Sequence, residues 1–248
     1  MRKSLLTAMG LIVVLGISGV AMAAPNTQTI SGTVKPKKLP ESGKAAPIKL
    51  IVDVSSTNSG NANSVPNPTT RARVDFDKDV KYQQKGYPTC DFSSFSAATT
   101  TAGAKQECGD SQIGSGGAQI QVPTAVGSPP VEVPATVTVF NGKGKGIILF
   151  TSNSLSGGTV LPGKIKKSDA GGPYGVMLDV PVPPLAGGAA VIQQFDATVK
   201  KTYNSGGKKR SILSSTCKDK KIKFQARFTD DENQLATGTD TFTCTKRN

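Results

Sequence analysis

The chain has 248 residues, with 30 Lys and Arg against 17 Asp and Glu, a net charge of +13, and no histidine. The missing histidine excludes Ser-His-Asp and Cys-His nucleophiles, His-ligated zinc and the usual proton shuttle near neutral pH. Only 36% of residues are apolar while 27 glycines and 16 prolines punctuate the chain, which suits many short strands joined by turns better than long helices.

Residues 1–23 read as a signal peptide. Arg2 and Lys3 give a positive start, Leu5 to Val20 is almost wholly apolar, and Ala21-Met22-Ala23 offers the small-x-small pattern that a signal peptidase cuts. The apolar run is short and Gly-rich for a membrane span, and no second one follows. The mature chain is therefore expected from about Ala24, exported, with no transmembrane segment. Leu39-Pro40-Glu41-Ser42-Gly43 resembles a sortase signal but has no hydrophobic tail after it, and no cysteine stands at the cleavage point for a lipid anchor. The expected location is the extracellular space or the cell surface, without a covalent anchor.

Residues 24–27 are expected to form a flexible N-terminus. Strands are expected near 28–35 and over Ile48 to Val54, where even positions are apolar and odd ones mostly polar. Ser55 to Thr70, rich in Ser, Asn, Pro and Thr, reads as a loop excursion. Further strands are expected near 71–84, 117–123, 131–141, 146–152, 159–167, 175–182, 191–203 and 209–216. Ala97 to Glu107 is the one helix candidate. The clearest alternation sets Ile222, Phe224, Ala226 and Phe228 against Lys223, Gln225, Arg227 and Thr229, and a last strand follows at 236–243. Asn141-Gly142, Gly157-Gly158, Gly171-Gly172-Pro173 and Asn204 to Gly207 carry turn chemistry. The whole reads as a single all-β domain over 28–248, an antiparallel β-sandwich or a closed barrel-like variant of about a dozen short strands.

Four cysteines allow three pairings. Each of the pairs Cys90–Cys108 and Cys217–Cys244 brackets its own local segment, so neighbour pairing is expected, each bridge contributing on the order of 3 kcal/mol through loop closure. Separations of 18 and 27 residues do not fit the close cysteine pairs of a four-thiolate metal site. No cofactor is expected.

Lysine supplies most of the positive charge, and such a surface favours polyanions: anionic cell-wall polymers or lipid headgroups. Nucleic acid ranks low, because arginine is scarce and tryptophan absent. Solubility and protection of strand edges are the plainer explanation of the lysines. The candidate polyanion-binding residues are Lys164, Lys166, Lys167, Lys208, Lys209, Arg210, Lys218, Lys220 and Lys221, with Lys35, Lys37, Lys38, Lys200 and Lys201 as further basic segments; they serve as one patch only if the fold brings them together.

Asp75, Asp77 and Asp79 share one face if they lie on a strand, a weak calcium candidate. Neighbouring Arg71, Arg73, Lys78 and Lys81 favour a neutralised, solvated strand face instead, and Val80 and Gly86 stand where an EF-hand loop needs Gly and Glu. With Asp230 and Asp231 these aspartates are the concentrated candidates for a carboxylate-dependent, glycosidase-like hydrolase. Gly158 to Lys164 approaches a phosphate loop, but Ile165 replaces the required Ser or Thr. Ser205/Lys208 and Ser215/Lys218 have the Ser-x-x-Lys spacing of penicillin-binding enzymes without the partner motifs.

Gly86-Tyr87-Pro88-Thr89-Cys90, then Cys108, then Gln112-Ile113-Gly114-Ser115-Gly116, preceded by Val74-Asp75-Phe76-Asp77, resembles an uncharacterised group of secreted actinobacterial proteins. The group carries a Gly-x-Pro-x-Cys … Cys … Ile/Val-Gly-x-Gly core, and the likeness covers roughly residues 30 to 244. It implies a bacterial exported protein and a Cys90–Cys108 bridge, and it carries over no catalytic residue. The reading that results is an exported, non-catalytic binding protein, with a hydrolase and a calcium-stabilised structural domain as alternatives.

Overall fold

Alternation of apolar and polar side chains along strand after strand builds a sheet with one dry face, and here that sheet curls until its edges meet. The computed structural model describes residues 26–58, 65–95, 98–124, 128–154, 156–188 and 190–247. The leader, residues 24 and 25, the centre of the expected 55–70 loop and Ala97 lie outside them.

The first strands are β1 (Asn26–Lys35), β2 (Lys38–Pro40), β3 (Ala46–Pro47), β4 (Lys49–Asn58), β5 (Thr69–Asp77) and β6 (Val80–Tyr82). The helix α1 (Thr101–Cys108) follows, then β7 (Gln112–Val122), β8 (Val131–Gly142), β9 (Gly146–Asn153), β10 (Gly157–Lys167) and β11 (Tyr174–Pro181). The chain ends through β12 (Val191–Val199), β13 (Thr202–Ser205), β14 (Lys208–Ser211), β15 (Leu213–Ser215), β16 (Lys221–Asp230), β17 (Leu235–Thr243) and β18 (Thr245–Arg247).

Eleven strands form one antiparallel sheet in the order β1-β4-β12-β7-β8-β9-β10-β11-β5-β16-β17. The fold is all-β and barrel-like, nearly closed, rather than two stacked sheets. Edge strands β1 and β17 meet without a ladder: the Gly32 N–H donates to Asp240 Oδ2 at 2.7 Å. Closure needs glycines. A Cβ on Gly32 would sit 2.2 Å from the Phe224 ring, and one on Gly238 would sit 2.7 Å from the Gln28 carbonyl oxygen. The Gly114-x-Gly116 element has a comparable role, since a Cβ on Gly116 would lie 2.0 Å from the Asp196 carbonyl oxygen of β12.

The inner face follows the alternation. Ile222, Phe224 and Ala226 of β16 are fully buried, and Leu50, Val52 and Val54 of β4 join them in the core. A second, smaller core lies outside the wall. There Phe140, Ile148 and Phe150 pack against Phe95, Ala104 and the Cys90–Cys108 bridge, which explains why Ile147 to Phe150 is apolar without alternation: both faces are covered. Both disulfides pair neighbours, with Cα separations of 5.7 Å for Cys90–Cys108 and 6.2 Å for Cys217–Cys244.

Several expected boundaries shift. The strand expected over 71–84 breaks at Lys78 and Asp79, the one over 191–203 at Lys200 and Lys201, and the one over 209–216 at Ile212. In each case the second piece joins a smaller sheet, such as β3-β15-β6. Asn26 and Thr27 are not a frayed leader: Asn26 is buried, its side-chain amide donates to the Asn67 carbonyl, and its Oδ1 accepts the Asn67 N–H, both at 2.9 Å. Residues 55–58 extend β4 and Thr69 opens β5, so the excursion is shorter than expected. The helix starts at Thr101, where the Thr100 hydroxyl accepts the Gly103 N–H at 3.1 Å as an N-cap.

Candidate functional site

Register decides which residues share an end of the barrel. Lys35 of β1 pairs with Lys49 of β4, Val199 of β12 with Leu50, Gly142 of β8 with Gly146 of β9, and Lys221 of β16 with Thr243 of β17. The C-terminal end of β10 meets the start of β11 at the same level. Lysine residues follow these positions. Among the described residues, every lysine except Lys105 on α1 stands on this end of the barrel, on the strand ends and turns that close it. The opposite end carries Glu132, Asp230, Asp231 and Glu232 and no lysine; its nearest cation, Arg71, is clamped on Asp179.

Within the basic end, Lys85, Lys145, Lys166 and Lys167 line one cleft with Tyr82 and Gln84. No carboxylate lines it. Gln84 organises the cleft: its amide donates to Asn141 Oδ1 at 3.1 Å and to the Gly142 carbonyl at 2.8 Å, and its Oε1 accepts the Lys145 N–H at 2.6 Å. Lys145 is held in a left-handed conformation (φ 64°), and the Ile165 N–H donates to its carbonyl at 2.9 Å. Lys166 is shared with Asp179 at 2.5 Å. Among the described residues, no carboxylate lies within ion-pair distance of Lys85, Lys145 or Lys167. The held Lys145 backbone fixes where that side chain leaves the surface, and the ammonium groups of all three reach into the cleft on flexible stems.

The remaining basic candidates flank the cleft. Lys208, Lys209 and Arg210 ride the β13–β14 hairpin, turned by Gly206 and Gly207 at positive φ. The Tyr203 hydroxyl anchors it by donating to the Lys85 carbonyl at 2.9 Å, and its ring packs on Tyr87 at 5.0 Å, with Lys201 Nζ over the Tyr87 face. Lys218, Lys220 and Lys221 lie at the start of β16, three strands from β10 and about 14 Å along the rim at ordinary strand spacing. Lys164 faces outward three pairs inside the end of the β10–β11 ladder. The structure therefore sets the candidate lysines on one end, with Lys166 and Lys167 in a cleft that Lys85 and Lys145 complete. Those last two were not singled out in the sequence; their signal was the turn chemistry of Gly142 to Gly146 and Gly86.

The acidic candidates behave differently. Asp75 and Asp77 do share the outer face of β5, but both carboxylates are buried rather than solvated. Asp75, completely buried, accepts from Arg227 Nε at 2.8 Å, Arg227 Nη2 at 3.1 Å and the Ser168 hydroxyl at 2.6 Å. Its neutralising partner comes from β16, the adjacent strand in the sheet but 152 positions on in sequence, and not from Arg71 or Arg73. Those turn to Asp179 on β11, where Arg71 makes two bonds of 2.8 Å and Arg73 lies at 3.8 Å. The Arg71 hydrogen bonds hold the Asp179 carboxyl far below the usual carboxylate range. Asp77 accepts the N–H groups of Asp79 and Lys223, yet burial still raises it above the ordinary value. Asp79 lies past the end of β5 and accepts the Lys218 N–H at 2.8 Å.

Asp230 is also buried; it closes the β16–β17 turn by accepting the Glu232 and Gln234 N–H groups. Asp75 stands opposite Gln225 and Asp230 lies five residues further along β16, about 17 Å of strand, well outside the roughly 5–10 Å of a glycosidase pair. Among the described residues no three metal-binding side chains converge. Gly158 to Lys164 is part of β10, Ser205 and Lys208 pair across the β13–β14 hairpin, and Ser215 ends β15.

One pair escaped the sequence reading. Asp53 of β4 and Asp196 of β12 stand directly opposite each other in an outer groove with Thr29, Ser55, Gly117 and Gln194. The Gly117 N–H donates to Asp196 Oδ1 at 3.0 Å. Burial first, then the Asp196 charge, raises the Asp53 carboxyl above its ordinary value. Only the β4–β12 pairing brings the two together, and no local pattern announces it.

No protein-family model matches the chain, and no curated protein resembles it at a significant level.

Proposed function

We propose that the protein is an exported, non-catalytic binding protein that attaches to anionic polymers of the cell envelope through the lysine-bearing end of its barrel. The observation that carries this reading is the placement of charge. Lysines serving solubility alone would be spread over both ends, whereas here one end holds them and the other is acidic. Lysine is a compact, strongly hydrated point charge, suited to engaging a phosphate-rich or carboxylate-rich chain without a fixed register. The export reading draws on the leader, on the resemblance to secreted actinobacterial proteins, and on two disulfides compatible with an oxidising compartment.

The test is binding of the mature chain to long-chain polyphosphate, with anionic phospholipid vesicles as a second arm, over a range of salt. The reading expects binding to polyphosphate that weakens steeply as salt rises. No binding at low salt, or retention that persists at high salt, contradicts it. Binding to vesicles but not polyphosphate transfers the same end to lipid headgroups.

A further inference from the structure

The barrel is not filled. Phe224 and Ala226 of β16 are fully buried, yet Phe228 on the same inner face is only half-buried. Val74, Leu178 and Phe195, which also point inward, share that condition. They surround a cavity of about 140 Å³ running through the barrel, lined from nine strands of the large sheet together with β6 and β15. Only Thr69 and Tyr82 among its lining residues carry a polar side chain, and the Tyr82 hydroxyl is already spent on Asn141 Oδ1 at 2.7 Å. Well-packed interiors rarely leave more than a water-sized void. An apolar space of this size stays dry and takes up a ligand such as benzene.

The cavity meets surface depressions at both ends of the barrel: Tyr82, Ile165 and Val176 line it and also the basic cleft. Thr69, Val182 and Ile192 line the cavity and also a second pocket outside, together with Pro184, Leu185 and Asp231. We propose that the barrel interior binds a small uncharged hydrocarbon group, a single ring or a short alkyl chain. Size sets the upper limit, since drug-sized ligands occupy at least about 300 Å³. The lining sets the charge: an ionised group inside would find no partner.

The group can belong to a free molecule or be the tail of a larger amphiphile, and the ligands tested separate the two. Thermal unfolding of the mature chain is followed with benzene, 1-hexanol, hexanoate and monomeric octyl glucoside. Benzene at ten times its dissociation constant is expected to raise the Tm by about 3–6 °C. Hexanol is expected to bind at least about tenfold more tightly than hexanoate. Octyl glucoside binding assigns the tail of an amphiphile, and its failure beside hexanol assigns a free molecule; either sustains the site. Ala197→Leu, which fills the cavity from β12, is expected to abolish the benzene shift while the protein stays folded. Should that variant not fold, xenon-129 NMR of the unaltered protein supplies the check, with a xenon shift displaced by benzene. No Tm shift and no xenon response overturns the proposal, as does a benzene shift that survives in folded Ala197→Leu. Equal affinity for hexanol and hexanoate overturns the selection of an uncharged group by the apolar lining.

Discussion

Arg71, Arg73 and Arg227 stand on the wall of the barrel with carboxylates against them, whereas Lys85, Lys145 and Lys167 stand at its end with none. The wall cations bridge strands: Arg71 of β5 to Asp179 of β11, and Arg227 of β16 to Asp75 of β5. Guanidinium forks suit such two-point contacts, and a buried carboxylate needs them. At the end, Lys145 is held through its backbone N–H by Gln84 and by a turn that sets it at positive φ, and Lys85 through its carbonyl by the Tyr203 hydroxyl. Charge that is paired and buried serves the fold, and charge that is presented unpaired is available to a partner.

That contrast can be broken in several ways. Arg227→Met strands a completely buried Asp75 and is expected to cost about 3–5 kcal/mol in urea unfolding; a loss below about 1 kcal/mol would show the wall pairs to be dispensable. The depressed Asp179 carboxyl is expected to act next. Its folded value lies below its unfolded one, so its contribution is complete above about pH 5 and lost as pH falls through and below about pH 4. Partners Arg71 and Lys166 are nearly half exposed, and solvent screening limits that loss to about 1 kcal/mol. Asp179→Asn should therefore flatten the acid limb of a stability profile between pH 6 and pH 3.

Asp53 runs the opposite way. Its folded value is raised, so the fold favours its protonated form, and the benefit present at low pH is lost as pH rises through the carboxylate range. Asp53→Asn is expected to stabilise the protein by a few tenths of a kcal/mol at pH 7 and not at pH 3. A large loss of stability instead would mean that the Asp53–Asp196 pair has a structural partner. Smallest of all, Lys85→Gln, Lys145→Gln and Lys167→Gln should each leave the unfolding midpoint within about 0.5 kcal/mol of the parent.

Much of the barrel was legible from alternation. Ile222, Phe224, Ala226 and Phe228 face inward as their period of two requires, and the cysteines pair with their neighbours. Curvature was not legible, because it rests on Gly32, Gly116 and Gly238 meeting particular atoms of distant strands. Asp75 shows the same limit: its neighbours in sequence suggested a solvated face, while its real partner Arg227 lies 152 positions away. Basic character was plain in the composition, but its concentration at one end emerges only from strand register. The cavity left no trace in sequence, since an inward Phe228 and an inward Phe224 read alike.

The most direct test of the account separates placed charge from total charge. A variant combining Lys85→Gln, Lys145→Gln and Lys167→Gln with Glu132→Gln, Asp231→Asn and Glu232→Gln keeps the net charge of the parent while emptying the basic cleft. Titrated with polyphosphate at about 0.1 M salt, it is expected to bind at least about tenfold more weakly than the parent, with a shallower salt dependence. Affinity equal to the parent's would contradict the claim that the lysine end is the binding surface.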